Sequence, residues 1–313
     1  MRFGIQLHGS FPMQLYPELA REVERHPFEE LTVHDVVWWR PVWQILALVG
    51  QATERVLVGP DVTHPYLMHP VAIAQNLAGL DELTGGRAVL GIGRGSLLEP
   101  LHIKRSDAAE RVRETVEIVG RLLAGERTEF RGRHYTIEAP AALLWAPPRP
   151  EIPTFVGAFG DEMVRSAAAW AGDIRPPGTW DTRHFARLKE IAERAAAQAG
   201  RQVSVGCEVW TVVGDDRAAA RLLGRQVLSR YLGSMKAMTD FYEVDAAEIA
   251  GGAEAISDRT LDLFVAAGAP GDIGEGVERL RAAGAETVTF SGRLGDDPRR
   301  SIRSLGELIS RLG

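Results

Sequence analysis

The chain has 313 residues, 45% hydrophobic and 25% charged, with a formal net charge of −6 and an isoelectric point near 5.8. That composition gives a sizeable core, and the acidic balance excludes a basic nucleic-acid-binding surface. The single cysteine, Cys207, rules out an internal disulfide and fits a reducing compartment. It lies in an apolar run, VSVGCEVWTVV, where a buried structural thiol is expected.

No apolar run approaches the length of a membrane span, and MRFGIQLHGS is too short and too polar beyond Leu7 for a secretory signal. A cytoplasmic protein is expected. Arg2–Leu7 reads as a first strand and Glu30–His34 as a second, with helical spacing over Pro41–Gln51. Arg55–Gly59 is a third strand. A helix follows from Pro70, a residue suited to the first helical position, with Ile73, Leu77 and Leu80 on one stripe. Gly85-Gly86 ends it, and the unbroken apolar Ala88–Ile92 reads as a parallel strand buried on both faces.

Val112, Val116, Val119 and Leu123 mark the next helix, which Gly125 stops. FRGRHYTI (130–137) predicts a small hairpin turning at Arg131–Arg133, inserted over about residues 127–137. Pro153–Val156 and Asp173–Arg175 are further strands, with helices from about Asp161 and over Arg183–Gln198. Gln202–Val213 is the seventh strand and Thr287–Phe290 the eighth; the last helix carries Ile302, Leu305, Leu308, Ile309 and Leu312. An oversized segment between those strands, roughly Asp215–Ala283, predicts extra helices, with an insertion near 230–270. Eight strand–helix units without a linker predict an α/β fold: one (β/α)₈ TIM barrel with insertions, spanning residues 1–313. An open doubly wound sheet would have five or six strands.

In such a barrel the chemistry sits at the carboxyl ends of the strands. Gly59–Ser96 contains two of those ends, GPDVTHP and LGIGRGS. The glycines at 91, 93 and 95 are spaced GxGxG rather than GxGxxG, and stand equally for a tight turn or for close approach to a flat or phosphorylated ligand. Asp61, His64 and His69 are weak candidates for a metal site, and none is expected. His34 and Asp35 end the second strand, and Trp38, Trp39 and Trp43 can wall a pocket or pack in the core. VGAFGDE places Gly157 and Gly160 before a helix N-terminus, a natural phosphate cradle.

Taken together, MRFGIQL, VGPDVTHPYLMHP, LDELTGGRAVLGIGRGS, RVRETVEIVGRLLAGE, FRGRHY, PTFVGAFG and GAETVTF resemble the luciferase-like, flavin- or deazaflavin-dependent oxidoreductases. The similarity is greatest to the branch related to methylenetetrahydromethanopterin reductase, which uses coenzyme F420. The resemblance implies a cofactor at the barrel mouth and a non-prolyl cis peptide at Asp61-Val62. It implies Thr63 and His64 by the pyrimidine end of the ring. Gly93, Arg94, Gly95 and Ser96 would line the cleft, and Gly157, Ala158, Phe159, Gly160 and Arg175 would hold the phosphate.

The chain departs from this pattern in three places. Reductases of the branch carry an acidic glutamate where Gln6 stands, and Gln6 can donate a hydrogen bond but no proton. Sugar-phosphate dehydrogenases carry an Asp-His pair where this chain has His34-Asp35, and an acid at the position of Ser96. The expected function is hydride transfer between F420 and an organic substrate. His34 is the proton donor or acceptor, Asp35 the orienting or binding group, and Gln6 a polarising group. The alternatives are an FMN-dependent monooxygenase, a cofactor-binding protein without turnover and a barrel metal hydrolase. A small-molecule substrate and a homodimer are implied by the same resemblance.

Overall fold

The computed structural model describes residues 1–105, 107–178 and 180–313, with Ala139 and Pro140 described by their backbone alone. Short parallel strands alternate with helices from the start. They are β1 (Arg2–Leu7), α1 (Tyr16–Glu24), β2 (Glu30–Val33), α2 (Val42–Gln51), β3 (Leu57–Pro60), α3 (Pro70–Thr84), β4 (Leu90–Gly93) and α4 (Ala108–Leu123). The antiparallel hairpin β5 (Thr128–Arg131) and β6 (Thr136–Ala141) interrupts the alternation. It resumes with β7 (Thr154–Gly157), α5 (Asp161–Ala168), β8 (Asp173–Ile174), α6 (Thr182–Gln198), β9 (Ser204–Val205) and β10 (Cys207–Val213). Next come α7 (Arg217–Ser229), α8 (Lys236–Phe241), α9 (Ala246–Ala250), α10 (Asp258–Phe264), β11 (Val265–Gly268), α11 (Pro270–Ala282), β12 (Thr287–Leu294) and α12 (Pro298–Leu312).

The helix signals act as their chemistry requires. Pro70 opens α3, and Gly85 ends it in the left-handed conformation at φ 65°, with Ile73, Leu77 and Leu80 buried beneath. Asp297 caps α12 by accepting from the backbone N–H groups of Arg299 and Arg300, and Ile302, Leu305, Leu308 and Ile309 form its buried stripe. The outer end of this helix is tied to α1 by Glu22, buried beneath the guanidinium groups of Arg299 and Arg303.

Two parallel sheets carry the strands, in the orders β11-β10-β12-β1-β2-β3 and β4-β7-β8-β9. Single parallel bridges connect them: Val58 to Ala88 and Thr63 to Ile92 on one side, Pro177 to Glu208 on the other. Only Gly206 separates β9, which pairs with β8, from β10, which pairs with β12 and β11; a Cβ at that glycine would lie 2.9 Å from Thr287. The seventh strand expected over residues 202–213 is therefore broken in two. β11 corrects the expectation of helices alone between α7 and β12: it pairs parallel with β10 from Trp210 to Val213. Its four residues, VAAG, are too few and too small to show a strand period. The hairpin runs on to Ala141, four residues past the expected limit, and its turn is built on Glu114, which accepts the backbone N–H groups of Arg133, His134 and Tyr135.

The strand interior is polar at mid-height. Arg175, 3% exposed, ion-pairs with Glu30 and Asp173 and lies 3.9 Å over the ring of Phe155. A second apolar cluster, around Leu228, Leu232, Met238, Leu261 and Phe264, packs the segment between β10 and β11. No helix among the described residues is long and apolar enough to cross a membrane.

Candidate active site

A cavity of about 720 Å³ opens at the carboxyl ends of the strands. In a strand, alternate side chains share a face, so β1 sends Gln6 and the following His8 into it, and β10 sends Glu208 and Trp210. Its floor is set by β3. The Asp61-Val62 peptide is cis, at the position the resemblance implied. The Val62 side chain is wedged between two glycines: a Cβ would lie 2.8 Å from Val62 Cγ2 at Gly93 and 2.7 Å from Val62 Cγ1 at Gly157. These glycines therefore serve a protein side chain first, and the surface they permit is flat and apolar. Gly95 is used in a related way, at φ 71° with a Cβ position 2.8 Å from the His64 ring.

Of the residues expected in the site, the cavity wall contains Gln6, His34, Asp61, Val62, Arg94, Gly95, Ser96, Gly157 and Phe159. Asp35, Thr63, His64, Gly93, Ala158, Gly160 and Arg175 stand behind or outside it. Thr63 and His64 are buried in the shell, the latter accepting the Tyr66 N–H at Nδ1. Asp35 lies by Thr63, and burial raises its carboxyl above the usual range against the pull of that hydroxyl. Ala158 is fully buried. Gly160 is the N-cap of α5 at φ 83°, and among the described residues no side chain caps that helix. Arg175, expected beside the phosphate, has its guanidinium held by Glu30 and Asp173.

Trp39 walls the cavity, its ring 3.6 Å from that of His8 and edge-on to that of His34 at 5.2 Å. Trp38 instead is exposed and donates to Leu97 O. Burial keeps both cavity histidines neutral at physiological pH. The His34 imidazole is lowered to about 4, and that of His8 to about 3 with help from His34, Arg293 and Arg230.

Glu208 is the residue that sequence reasoning missed. It faces the cavity at 9% exposure, and burial, then the neighbouring Asp61, raises its carboxyl to about 8. Gln6 and Ser291 pull the other way. Asp61 is also raised, by burial and by Glu30, to about 7, while Arg175, Thr32 and Gln6 oppose the shift. Thr32 Oγ1 donates to Asp61 Oδ2 at 3.1 Å, and Gln6 Nε2 donates to Asp61 O at 2.8 Å. Two buried carboxyls that repel each other retain a proton at neutrality. The sequence did carry a signal: a glutamate inside the apolar run VSVGCEVWTVV has a cost that only a neutral form or a partner removes.

The family described as luciferase-like monooxygenase matches residues 2–287. The chain belongs to this family. A curated relative of this luciferase-like protein, the 5,10-methylenetetrahydromethanopterin reductase of Archaeoglobus fulgidus, is 29% identical over 338 aligned positions covering 100% of both chains. The F420-dependent hydroxymycolic acid dehydrogenase of Mycobacterium tuberculosis is 32% identical over 57% of this chain and 51% of its own. Among solved structures, the coenzyme F420-dependent tetrahydromethanopterin reductase of Methanopyrus kandleri matches with a TM-score of 0.86 at 21% identity, over 100% of this chain and 99% of that one. Among the described residues of the luciferase-like chain, no group of three or more His, Cys, Asp or Glu side chains is arranged to hold a metal.

Proposed function

We propose that the chain is an F420-dependent oxidoreductase, built as a closed (β/α)₈ barrel that transfers a hydride between the deazaflavin and an organic substrate. The observation that carries this reading is the cavity floor. Val62, set between Gly93 and Gly157, presents its methyl groups to the cavity with no side chain on either glycine to cover them, which suits van der Waals contact with a flat tricyclic ring. The wall fits the rest of such a cofactor. Arg94 and Arg105 bring positive charge to the edge formed by Gly95 and Ser96, and Gly157 and Phe159 border the cavity beside an α5 N-terminus left uncapped by any side chain. When bound, the deazaflavin supplies a carbon that gives or takes two electrons as hydride.

The chain's own groups handle the proton. Glu208 is protonated at neutral pH and presents that proton to the cavity, so it is the donor when a substrate is reduced. Gln6 takes a positioning role: held on Asp61 O, it fixes the wall between the two carboxyls. In the oxidative direction Glu208, as carboxylate, takes that proton back, and His34, neutral through burial, borders the cavity as a hydrogen-bonding group that positions the substrate. The apolar walls, Trp39 and Trp210 among them, exclude water and strengthen these interactions.

F420 is favoured over FMN as the cofactor because the curated relatives bearing the F420 name match this chain. A cytoplasmic homodimer acting on a small molecule completes the reading, and sedimentation of the purified protein tests the assembly. The direct test of function is reduction of F420 or oxidation of reduced F420 followed by its absorbance, with FMN in parallel. Turnover with FMN and oxygen alone would replace this reading with a monooxygenase.

A further inference from the structure

The cavity has two chemically different sides. On the β3, β4 and β7 side lie Val62, Arg94, Ser96 and Gly157, the residues assigned above to the cofactor. On the other side, β10, β12, β1 and α7 contribute Glu208, Trp210, Arg230, Tyr231, Arg293 and His8. Nothing in the function argued so far uses the two arginines there.

Their positions are built rather than incidental. Along the β10–β12 pair the register runs Trp210 to Ser291 and then Val212 to Leu294, so β12 advances three residues while β10 advances two. The extra residue is a bulge, a device that re-aims a side chain beside a site. Gly292 and Leu294, on either side of Arg293, have φ of 91° and 63°. No atom lies within 4 Å of a Cβ at Gly292, so glycine is needed there for its conformation and not for room. Arg230 follows the last residue of α7, where a cation also complements the helix dipole. The dipole alone does not explain why this side chain borders the cavity.

The charge balance points the same way. Four arginines line the cavity: Arg94, Arg105, Arg230 and Arg293. Of the facing acids, Glu99 is paired with Arg105, while Asp61 and Glu208 are buried carboxyls held near neutrality. Arg105 also donates to Gly95 O. Among the described residues, the guanidinium groups of Arg230 and Arg293 make no hydrogen bond and no ion pair. Both are close enough to His8 to help suppress its protonation. They therefore present unspent donors across from the cofactor side, flanked by the rings of Trp210 and Tyr231. A guanidinium fork matches the two oxygens of a carboxylate or a phosphate.

We propose that Arg230 and Arg293 form an oxyanion subsite, and that the substrate is an apolar or aromatic compound bearing a carboxylate or phosphate group. This rests on the oxidoreductase reading above. The anion anchors one end of the molecule on β12 and α7, and leaves the reacting carbon between Glu208 and the cofactor floor.

The test uses the full chain, with and without F420, titrated with benzoate, phenyl phosphate and benzyl alcohol by calorimetry and by quenching of tryptophan fluorescence. At least one anion is expected to bind about tenfold tighter than the alcohol; which one binds distinguishes a carboxylate from a phosphate substrate. The R230Q/R293Q variant is expected to lose that preference while its F420 affinity stays within about threefold of the parent. Both side chains are exposed, so the fold should survive, and a matching thermal melt verifies this. Equal binding of the alcohol, no binding by either anion at about 10 mM, or an unchanged anion affinity in the variant would overturn the subsite. A parallel loss of F420 affinity in the variant would also overturn it, assigning the arginines to the cofactor. Failure of the parent protein to bind F420 at all would count against the oxidoreductase reading instead.

Discussion

Replacing Glu208 by Gln keeps the shape of the side chain and removes its proton-donating carboxyl. In the folded chain burial, and then the neighbouring Asp61, raise that carboxyl from 4.5 to about 8, so the pair of carboxyls holds a proton at neutral pH. A positioned general acid contributes about 10²–10⁴-fold to rate, so kcat for oxidation of reduced F420 by a substrate should fall by that factor. F420 affinity should stay within about threefold of the parent, because the amide keeps the size of the side chain and its place beside Gln6. The pH profile provides a second readout. The parent should lose reductase activity as pH rises through about 8, and the variant should lose that limb. Stability gives a third. The folded chain binds this proton over a range where the unfolded chain has released it, so its contribution is complete below 4.5 and lost as pH rises to about 8. Unfolding of parent and variant by urea at several pH values should show a steeper fall for the parent between those limits. A variant with kcat within about threefold of the parent and the same alkaline limb would refute the assignment of Glu208 as the acid.

Gly157→Ala pushes a methyl group against Val62 Cγ1; it should cost about 1–3 kcal/mol in denaturant unfolding and weaken F420 binding by disturbing the floor. Arg175→Met leaves Glu30 and Asp173 with only the part-exposed Arg2 as a shared cation, and a loss of about 3 kcal/mol of stability is expected by the same measurement. The His34 ring, lowered to about 4 by burial, should show no NMR titration between about pH 5 and 8, where an ordinary histidine titrates. His34→Ala should lower kcat/KM by the same factor in both directions, because both pass through one transition state, measured by F420 absorbance in each direction.

Most of the framework was legible because its signals are local. Pro70 and Gly85 bracket α3, the run at Ala88–Ile92 reads as a buried strand, and the apolar stripe of α12 follows the helical period. Where one segment supplies neighbouring groups, their meeting was legible: Asp61-Val62 and Arg94–Ser96 border one cavity. What a local reading does not show depends on partners distant in sequence. Arg175 reads as a free cation until Glu30, 145 residues away, is seen to hold it. Gly93 reads as a ligand contact until Val62 is found in its space. Glu208 and Arg293 gain their meaning from a shared cavity wall and a register shift, neither of which a single segment encodes. β11 shows the same limit in the fold, since VAAG becomes a strand only because the edge of β10 is open to it.

The central claim is that the flat floor over Val62 seats a deazaflavin. Titration of the cofactor-free protein with F420, and separately with FMN, followed by fluorescence tests it most directly. The account predicts that F420 binds with a Kd below roughly 100 μM, about −5.5 kcal/mol, and more tightly than FMN. Binding of neither molecule below that concentration would contradict it.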